Sequence, residues 1–187
     1  MHKVSVIIPV YKVESFMERC ARSLFEQTLT EDVEFIFVDD ASPDHSVLVI
    51  NQCLDDYPKR KNQTKILVHS KNQGLPTARN TGLQAASGKY IFHCDSDDYL
   101  DPCALELMYE TAEQNQADMV WCDWYLSFAH NERYMKQPKY DSSIEILKGM
   151  LGGSMKYNVW NKLVSRRLYI DNEITFPNGH GMGCLLY

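Results

Sequence analysis

The sequence predicts an α/β fold, a mostly parallel central sheet flanked by helices. Short apolar, β-branched runs alternate with segments of helical period along the chain, the signature of βαβ units. The runs are dense rather than alternating, as expected of parallel strands covered on both faces. Three of them stop abruptly in polar residues, and open α/β sheets bind their ligands outside such strand ends.

Val4–Val10 is the first run, a buried strand closed by Pro9 and Tyr11. Residues 14–27 carry Phe16, Met17, Cys20, Leu24 and Phe25 at helical spacing. A second strand, 34–38, runs straight into Asp39 and Asp40, and 46–57 returns to helical period before Pro58. The charged stretch 59–64 reads as a connector and 65–69 as a third strand. An Ala-rich helix over 75–86 is closed by Gly88, read as its C-cap. The fourth strand, 90–94, is followed at once by Asp95-Ser96-Asp97-Asp98. A helix over 102–116 and a fifth strand over 118–126 complete the regular pattern. Beyond them, 129–140 is polar and reads as a loop, 143–150 as a short helix broken by Gly152-Gly153, and 160–169 as a further short segment. The expected division is a main α/β unit over 1–126 with an appended subregion of the same domain over 127–187.

A chain of 187 residues suffices for one such domain with a real core. Its net charge of −6 argues against a nucleic-acid binder, which needs a basic face to meet phosphates. An anionic ligand must therefore be held locally, by a metal ion or by oriented backbone N–H groups. Six cysteines (Cys20, Cys53, Cys94, Cys103, Cys122 and Cys184) form no CxxC pair and sit mostly in apolar runs. They read as buried free thiols of a reducing, cytoplasmic protein rather than as a disulfide or zinc framework. The chain begins directly with a strand, without the basic and apolar regions of a signal peptide. No run approaches the roughly 20 apolar residues that cross a bilayer.

Asp95-Ser96-Asp97-Asp98 places three carboxylates in four residues, which repel one another unless a positive charge sits among them. Hard cations such as Mg²⁺ and Mn²⁺ take carboxylate and water oxygens and are completed by substrate phosphates. Residues i and i+2 of an extended chain share a face, so Asp95 and Asp97 can act together. The competing reading is a solvated turn capping the helix near Pro102. Asp39-Asp40 offers a carboxylate able to accept an N–H from a base edge. The stretch 40–44 equally suits a plain turn into a helix, with Ser42 or Asp44 as N-cap. Arg79, one turn into the Ala-rich helix, can reach a phosphate or the Asp cluster, or can simply be solvated.

Taken in order, four segments resemble the family 2 inverting glycosyltransferases, which have the GT-A fold. They are Val4-Ser5-Val6-Ile7-Ile8-Pro9-Val10-Tyr11; Phe37-Val38-Asp39-Asp40-Ala41-Ser42-Pro43-Asp44; Asn72 through Leu83 with Gly88-Lys89-Tyr90-Ile91; and Asp95-Ser96-Asp97-Asp98 with Pro102. A looser similarity runs through Trp160-Asn161-Lys162-Leu163 and Ile174-Thr175-Phe176-Pro177. The resemblance implies a nucleotide-sugar-binding unit over 1–126 and an acceptor-side subregion over 127–187. Pro9, Tyr11 and Asp40 would line the nucleoside pocket, Tyr11 stacking on the base and Asp40 reading its edge. Glu14 would reach the ribose, with Asp39 a weaker candidate there. Asp95 and Asp97 match the family's DxD motif. Asp97 is the better direct ligand of Mn²⁺ or Mg²⁺, Asp95 lies nearer the ribose, Arg79 lies close to the nucleotide, and Asp98 touches the donor or the metal's waters. The implied partners are a nucleotide-sugar donor, with UDP preferred, and a glycan or lipid-linked acceptor. A lipid-linked acceptor would bring a cytoplasmic chain to the inner face of the membrane.

The family commonly places its general base in a Glu-Asp pair that follows a glycine late in the domain. Here Gly183 is followed by Cys184-Leu185-Leu186-Tyr187, and no carboxylate occurs after Glu173. The chain is then a fragment, or its reading frame is altered, or the base lies elsewhere, with Asp123 as the named substitute. A non-catalytic nucleotide-sugar-binding module is the alternative reading. A sugar-phosphate nucleotidyltransferase would carry a Gly-rich basic loop after the first strand, and a dinucleotide dehydrogenase a Gly-x-Gly-x-x-Gly; residues 9–13 hold no glycine.

Overall fold

Strand β1 (Val4–Val10) is buried at every residue and is the centre of the sheet. A β-branched, apolar sequence without a polar face is stable only with layers on both sides, and the sheet supplies them. The structure, a computed structural model, describes residues 2–128 and 130–177. β2 (Val33–Asp39) and β4 (Tyr90–His93) flank β1 in parallel, and β3 (Thr64–Val68) pairs in parallel with β2. The full order is β3-β2-β1-β4-β8-β5.

Helix α1 (Glu14–Phe25) covers one face, burying Met17, Cys20, Ala21, Leu24 and Phe25. Phe25 meets Phe35 of β2 edge-on at 5.6 Å. α2 (Ser46–Asp56) packs beside α1, and α4 (Ala104–Gln114) buries Leu105, Met108 and Ala112 on the same core. The opposite face is covered by α3 (Leu75–Ala85), which starts after Gly74 at φ 88° and has Pro76 in its first turn. Gly82 lets α3 lie directly on β1, since a Cβ there would stand 2.3 Å from Ile7 Cγ2. Gly88 is not the cap of α3, which ends at Ala85 with an extended Ala86. Its real constraint is contact, because a Cβ would meet Ser5 N and Oγ at 2.6 Å.

The connector 59–64 is a turn of 3₁₀ helix, Pro58–Gln63, pinned by a buried arginine. Arg60 donates to the carbonyls of Phe25, Gln27, Leu29 and Thr30 at 2.9, 2.7, 3.2 and 3.3 Å, tying the end of α1 to β2's approach. Glu34 is a second buried hub. It accepts from Ser5 Oγ, Ser87 N and Lys65 Nζ at 2.6, 2.6 and 2.7 Å. Desolvation would raise its carboxyl, but Lys65, Ser5 and Ser87 outweigh it and hold it down at about 2.

The expected fifth strand is two. β5 (Met119–Trp121) lies in the main sheet, then Cys122-Asp123 turns the chain into β6 (Trp124–Ser127). The polar stretch read as a loop contains β7 (Glu132–Met135), which pairs antiparallel with β6 as a separate hairpin. α5 (Ser143–Leu151) follows, N-capped by Ser142. β8 (Lys162–Ser165) then inserts antiparallel between β4 and β5, and α6 (Arg166–Asp171) ends against the sheet. The sheet thus joins strands from both sides of residue 127. No described helix is long and apolar enough to cross a membrane.

Candidate active site

Parallel pairing in the order β2-β1-β4 sets three carboxyl ends side by side, with Val10 opposite Asp39 and Ile7 opposite His93. Tyr11, Asp39, Asp40 and the Asp95–Asp98 loop therefore leave the sheet at one edge. Pro9 is buried within β1, and Tyr11 beyond it is 41% exposed, with Lys12 Nζ over its ring at 5.2 Å. Lys12 and Ala41 both adopt left-handed backbone, at φ 56° and 54°, and their loops interlock through Lys12 N–H donating to Ser42 Oγ at 2.8 Å.

Asp40 is buried and already heavily engaged. Oδ1 accepts from Gln73 N at 2.8 Å and His69 Nδ1 at 2.7 Å, and Oδ2 accepts from Gly74 N at 2.7 Å. The carboxylate clasps the N-terminus of α3, where negative charge is favoured. A carboxylate acceptor makes Nδ1 the donor, and His69 Nε2 lies 2.9 Å from Thr81 Oγ1, extending the chain into α3. Asp39 is also buried, and its Oδ1 accepts from Ser42 N at 2.8 Å. Glu14, expected near a ribose, is turned to the neighbouring loop, where Oε2 accepts from His45 N at 3.0 Å. Asp44 shapes that loop, taking Ser46 N and the hydroxyls of Ser42 and Ser46.

At the end of β4, Asp95 Oδ1 accepts from Arg79 Nη2 at 2.6 Å. Arg79 has no solvent exposure and its guanidinium stands 5.5 Å from the Phe176 ring, so the solvated reading of this arginine is overturned. Asn80, next in α3, holds Phe176 by two reciprocal bonds of 2.8 Å to its backbone. Asp97 and Asp98 are exposed, and Asp98 N closes the turn on Asp95 O at 3.0 Å. Desolvation of the carboxyl and repulsion from Asp97 and Asp95 push Asp98 up to about 6, against the pull of Arg19. Arg19, from α1, donates to Asp97 O at 3.0 Å and lies over the Tyr99 ring at 4.5 Å.

Among the described residues no three His, Cys, Asp or Glu side chains are gathered tightly enough to hold a metal by themselves. The donor set nonetheless suits a hard cation that keeps water and phosphate ligands, since three carboxylates crowd one short loop.

Asp123 follows β5, which runs parallel to β4 across β8, so it leaves the sheet at the same edge but is engaged by the hairpin. Its Oδ2 accepts from the Tyr134 hydroxyl and its Oδ1 from Gln137 N at 2.6 Å, so its carboxylate fastens the β6–β7 hairpin. The stretch 178–187, where the glycine-led base was expected, lies outside the described residues.

Several polar residues at this edge escaped the sequence reading. His69 was visible only as the end of a strand, and Arg19 as one charge on an amphipathic helix. His93, which precedes Cys94 and Asp95, is fully buried with both ring nitrogens lacking a hydrogen-bond partner. It packs edge-on against Phe176 at 5.0 Å and Tyr169 at 6.3 Å. Burial first, then the Arg79 charge, lower its pKa to about 3.

Residues 5–182 match the family model Glycosyl transferase family 2. The chain is 37% identical over 181 residues to the "uncharacterized glycosyltransferase EpsJ" of Bacillus subtilis strain 168, covering 92% of this chain and 51% of that one. S. aureus TarS 1–349 in complex with UDP superposes with a TM-score of 0.74 at 23% identity, covering 94% of this chain and 50% of the other. The mannosyltransferase PcManGT of Pyrobaculum calidifontis, in complex with GDP-Man and Mn²⁺, gives 0.69 at 17% identity, with 94% and 47% covered. The chain spans about half the length of these proteins. With its mainly parallel sheet, its helical layers and a family match over nearly its whole length, the chain belongs to glycosyl transferase family 2 and has the GT-A fold.

Proposed function

We propose that this chain binds the nucleoside diphosphate of a nucleotide sugar, UDP by preference, at the β2-β1-β4 edge. There it serves metal-assisted transfer of the sugar, with inversion, to a hydroxyl of a glycan or lipid-linked acceptor. The observation that carries the reading is the convergence of exposed Tyr11, the Asp39-Asp40 pair and the Asp95–Asp98 loop on adjacent parallel strand ends. The UDP in the TarS complex and the GDP-Man and Mn²⁺ in the PcManGT complex, proteins of the same fold, support it.

Each residue has a task within this reading. The open ring of Tyr11 stacks on the base. Asp40, clamped by Gln73, Gly74 and His69, has an acceptor position left for an N–H of the base edge and no freedom to move. Arg79 fixes one oxygen of Asp95 and leaves the other free, at a loop where Asp97 is open to solvent. A divalent cation held by Asp97 and Asp95 would neutralise the leaving diphosphate. Asp98 lies beside it at the donor. Asp123 is left out of proton abstraction, its two oxygens being held by the hairpin.

Equilibrium binding of UDP, GDP and dTDP in the presence of Mn²⁺ tests the donor part, with UDP expected to bind tightest. Binding of none of the three would overturn it. A transfer assay with labelled UDP-hexoses tests the catalytic part. Sugar release that is unchanged by chelating the metal would contradict metal assistance.

A further inference from the structure

β6 and β7 form a two-stranded ribbon whose residues alternate between faces. Tyr125 and Tyr134 are directly opposed across it, as are Ser127 and Glu132, so these four share one face. Trp124, Leu126, Arg133 and Met135 occupy the other, which is tied down where Trp124 meets Trp160 edge-on at 5.0 Å. The tyrosine face is open, with Tyr125 61% and Tyr134 51% exposed. Their rings stand 5.2 Å apart at 47°, an angled pair rather than a flat stack.

This face is neither loose nor remote. The Tyr134 hydroxyl is bonded to Asp123, which fixes the ring's direction. Glu132 accepts from Ser127 Oγ at 3.3 Å and from the Tyr99 hydroxyl at 3.1 Å. Tyr99 immediately follows Asp98 and is itself 43% exposed and covered on one side by Arg19. The hairpin is thereby moored to the acidic loop of the proposed donor site.

We infer that this face is an acceptor subsite on which a pyranose ring of a glycan stacks. A pyranose presents a face of weakly positive C–H groups, and an aromatic ring presents a negative face of similar size. Tyrosine adds a polar rim for ring hydroxyls, and the Glu132 carboxylate on the same face offers a hydrogen-bond acceptor. An aliphatic partner would find a charged carboxylate at its edge, whereas a sugar finds an acceptor. Preordered rings also bind at a smaller entropy cost. The inference rests on the donor reading above, because the nearness of this face to the proposed donor site is what makes it an acceptor subsite.

The test is binding of the wild-type chain and Tyr125 variants to an array of immobilised hexose and N-acetylhexosamine oligosaccharides, with UDP–Mn²⁺ affinity measured on the same samples. Wild type should bind pyranose glycans, Tyr125→Phe should match it, and Tyr125→Ala and Tyr125→Leu should each lose about tenfold, the scale of one aromatic contact. Leucine keeps apolar area without a ring, so a Tyr125→Leu chain that binds like wild type overturns the stacking. A wild-type chain that binds UDP but no glycan overturns the subsite alone. Loss of UDP binding in wild type removes the donor reading instead.

Discussion

Arg79 donates to Asp95 Oδ1 at 2.6 Å from a position without solvent exposure, fastening α3 to the loop that leaves β4. A guanidinium so deeply placed is stabilised only while its partners remain, since an unpaired charge in the interior is strongly penalised. Arg79→Ala also empties the space against Phe176. Its expected cost is about 3–5 kcal/mol, read from urea unfolding. Arg79→Lys should lose stability too, because a point charge cannot reproduce the planar fork. A variant as stable as wild type would show that the pair is incidental.

Glu34 joins β2, β3 and the Ser87-Gly88 turn through one buried carboxylate. Glu34→Ala leaves Ser5 Oγ and Ser87 N without their acceptor, at an expected cost of about 2–3 kcal/mol. Because the folded carboxyl is held at about 2, below its ordinary 4.5, its contribution is complete above pH 4.5 and is lost as pH falls toward 2. The difference in unfolding free energy between wild type and the variant should shrink across that interval. A constant difference would contradict the assignment.

His93 works in the opposite direction on stability, as a buried ring with no hydrogen bond at either nitrogen. His93→Phe keeps an aromatic ring against Phe176 and Tyr169 and should raise stability at pH 7 by about 1–2 kcal/mol. The folded pKa is depressed from 6.5 to about 3, so the unfolded chain binds the proton first as pH falls. Wild type should therefore lose about 1.4 kcal/mol per pH unit relative to the variant between 6.5 and about 3. Parallel pH profiles for the two proteins would contradict this.

Gly88 is required by its contacts with Ser5 rather than by its backbone angles. Gly88→Ala should cost about 1–3 kcal/mol of overpacking, because the obstructing Ser5 N and Val4 C are main-chain atoms of the central strand. A variant with an unchanged urea midpoint would show that the strand yields.

The first 102 residues were legible because each element there is paid for locally. β1, β2 and β4 are mostly apolar runs, buried at every residue, and α1 has a clean apolar stripe. Strand ends in such sheets meet at one edge, so the grouping of Tyr11, Asp39, Asp40 and Asp95–Asp98 followed from order alone. What could not be read depends on distant partners. β7 is polar because its hairpin faces water on much of its surface, which leaves no alternation to detect. Gly88 and Arg60 are explained by Ser5 and by the carbonyls after α1, and nothing in their own neighbourhoods announces it. The reach of Arg79 to the Asp cluster was legible, but its complete burial was not, because the partners that meet it there are Asp95 and Phe176, the latter 97 positions onward. The antiparallel insertion of β8 between β4 and β5 is a choice of topology that a four-residue strand does not signal.

Divalent metal at the Asp95–Asp98 loop is tested most directly by calorimetric titration of UDP with and without Mn²⁺, in wild type and Asp97→Ala. Asp97 is exposed, so the substitution should leave the unfolding free energy within about 0.5 kcal/mol of wild type. Mn²⁺ should tighten UDP binding to wild type by about tenfold or more, and the variant should lose that gain. Equal UDP affinity with and without the metal, or an unimpaired Asp97→Ala chain, would contradict the proposed site.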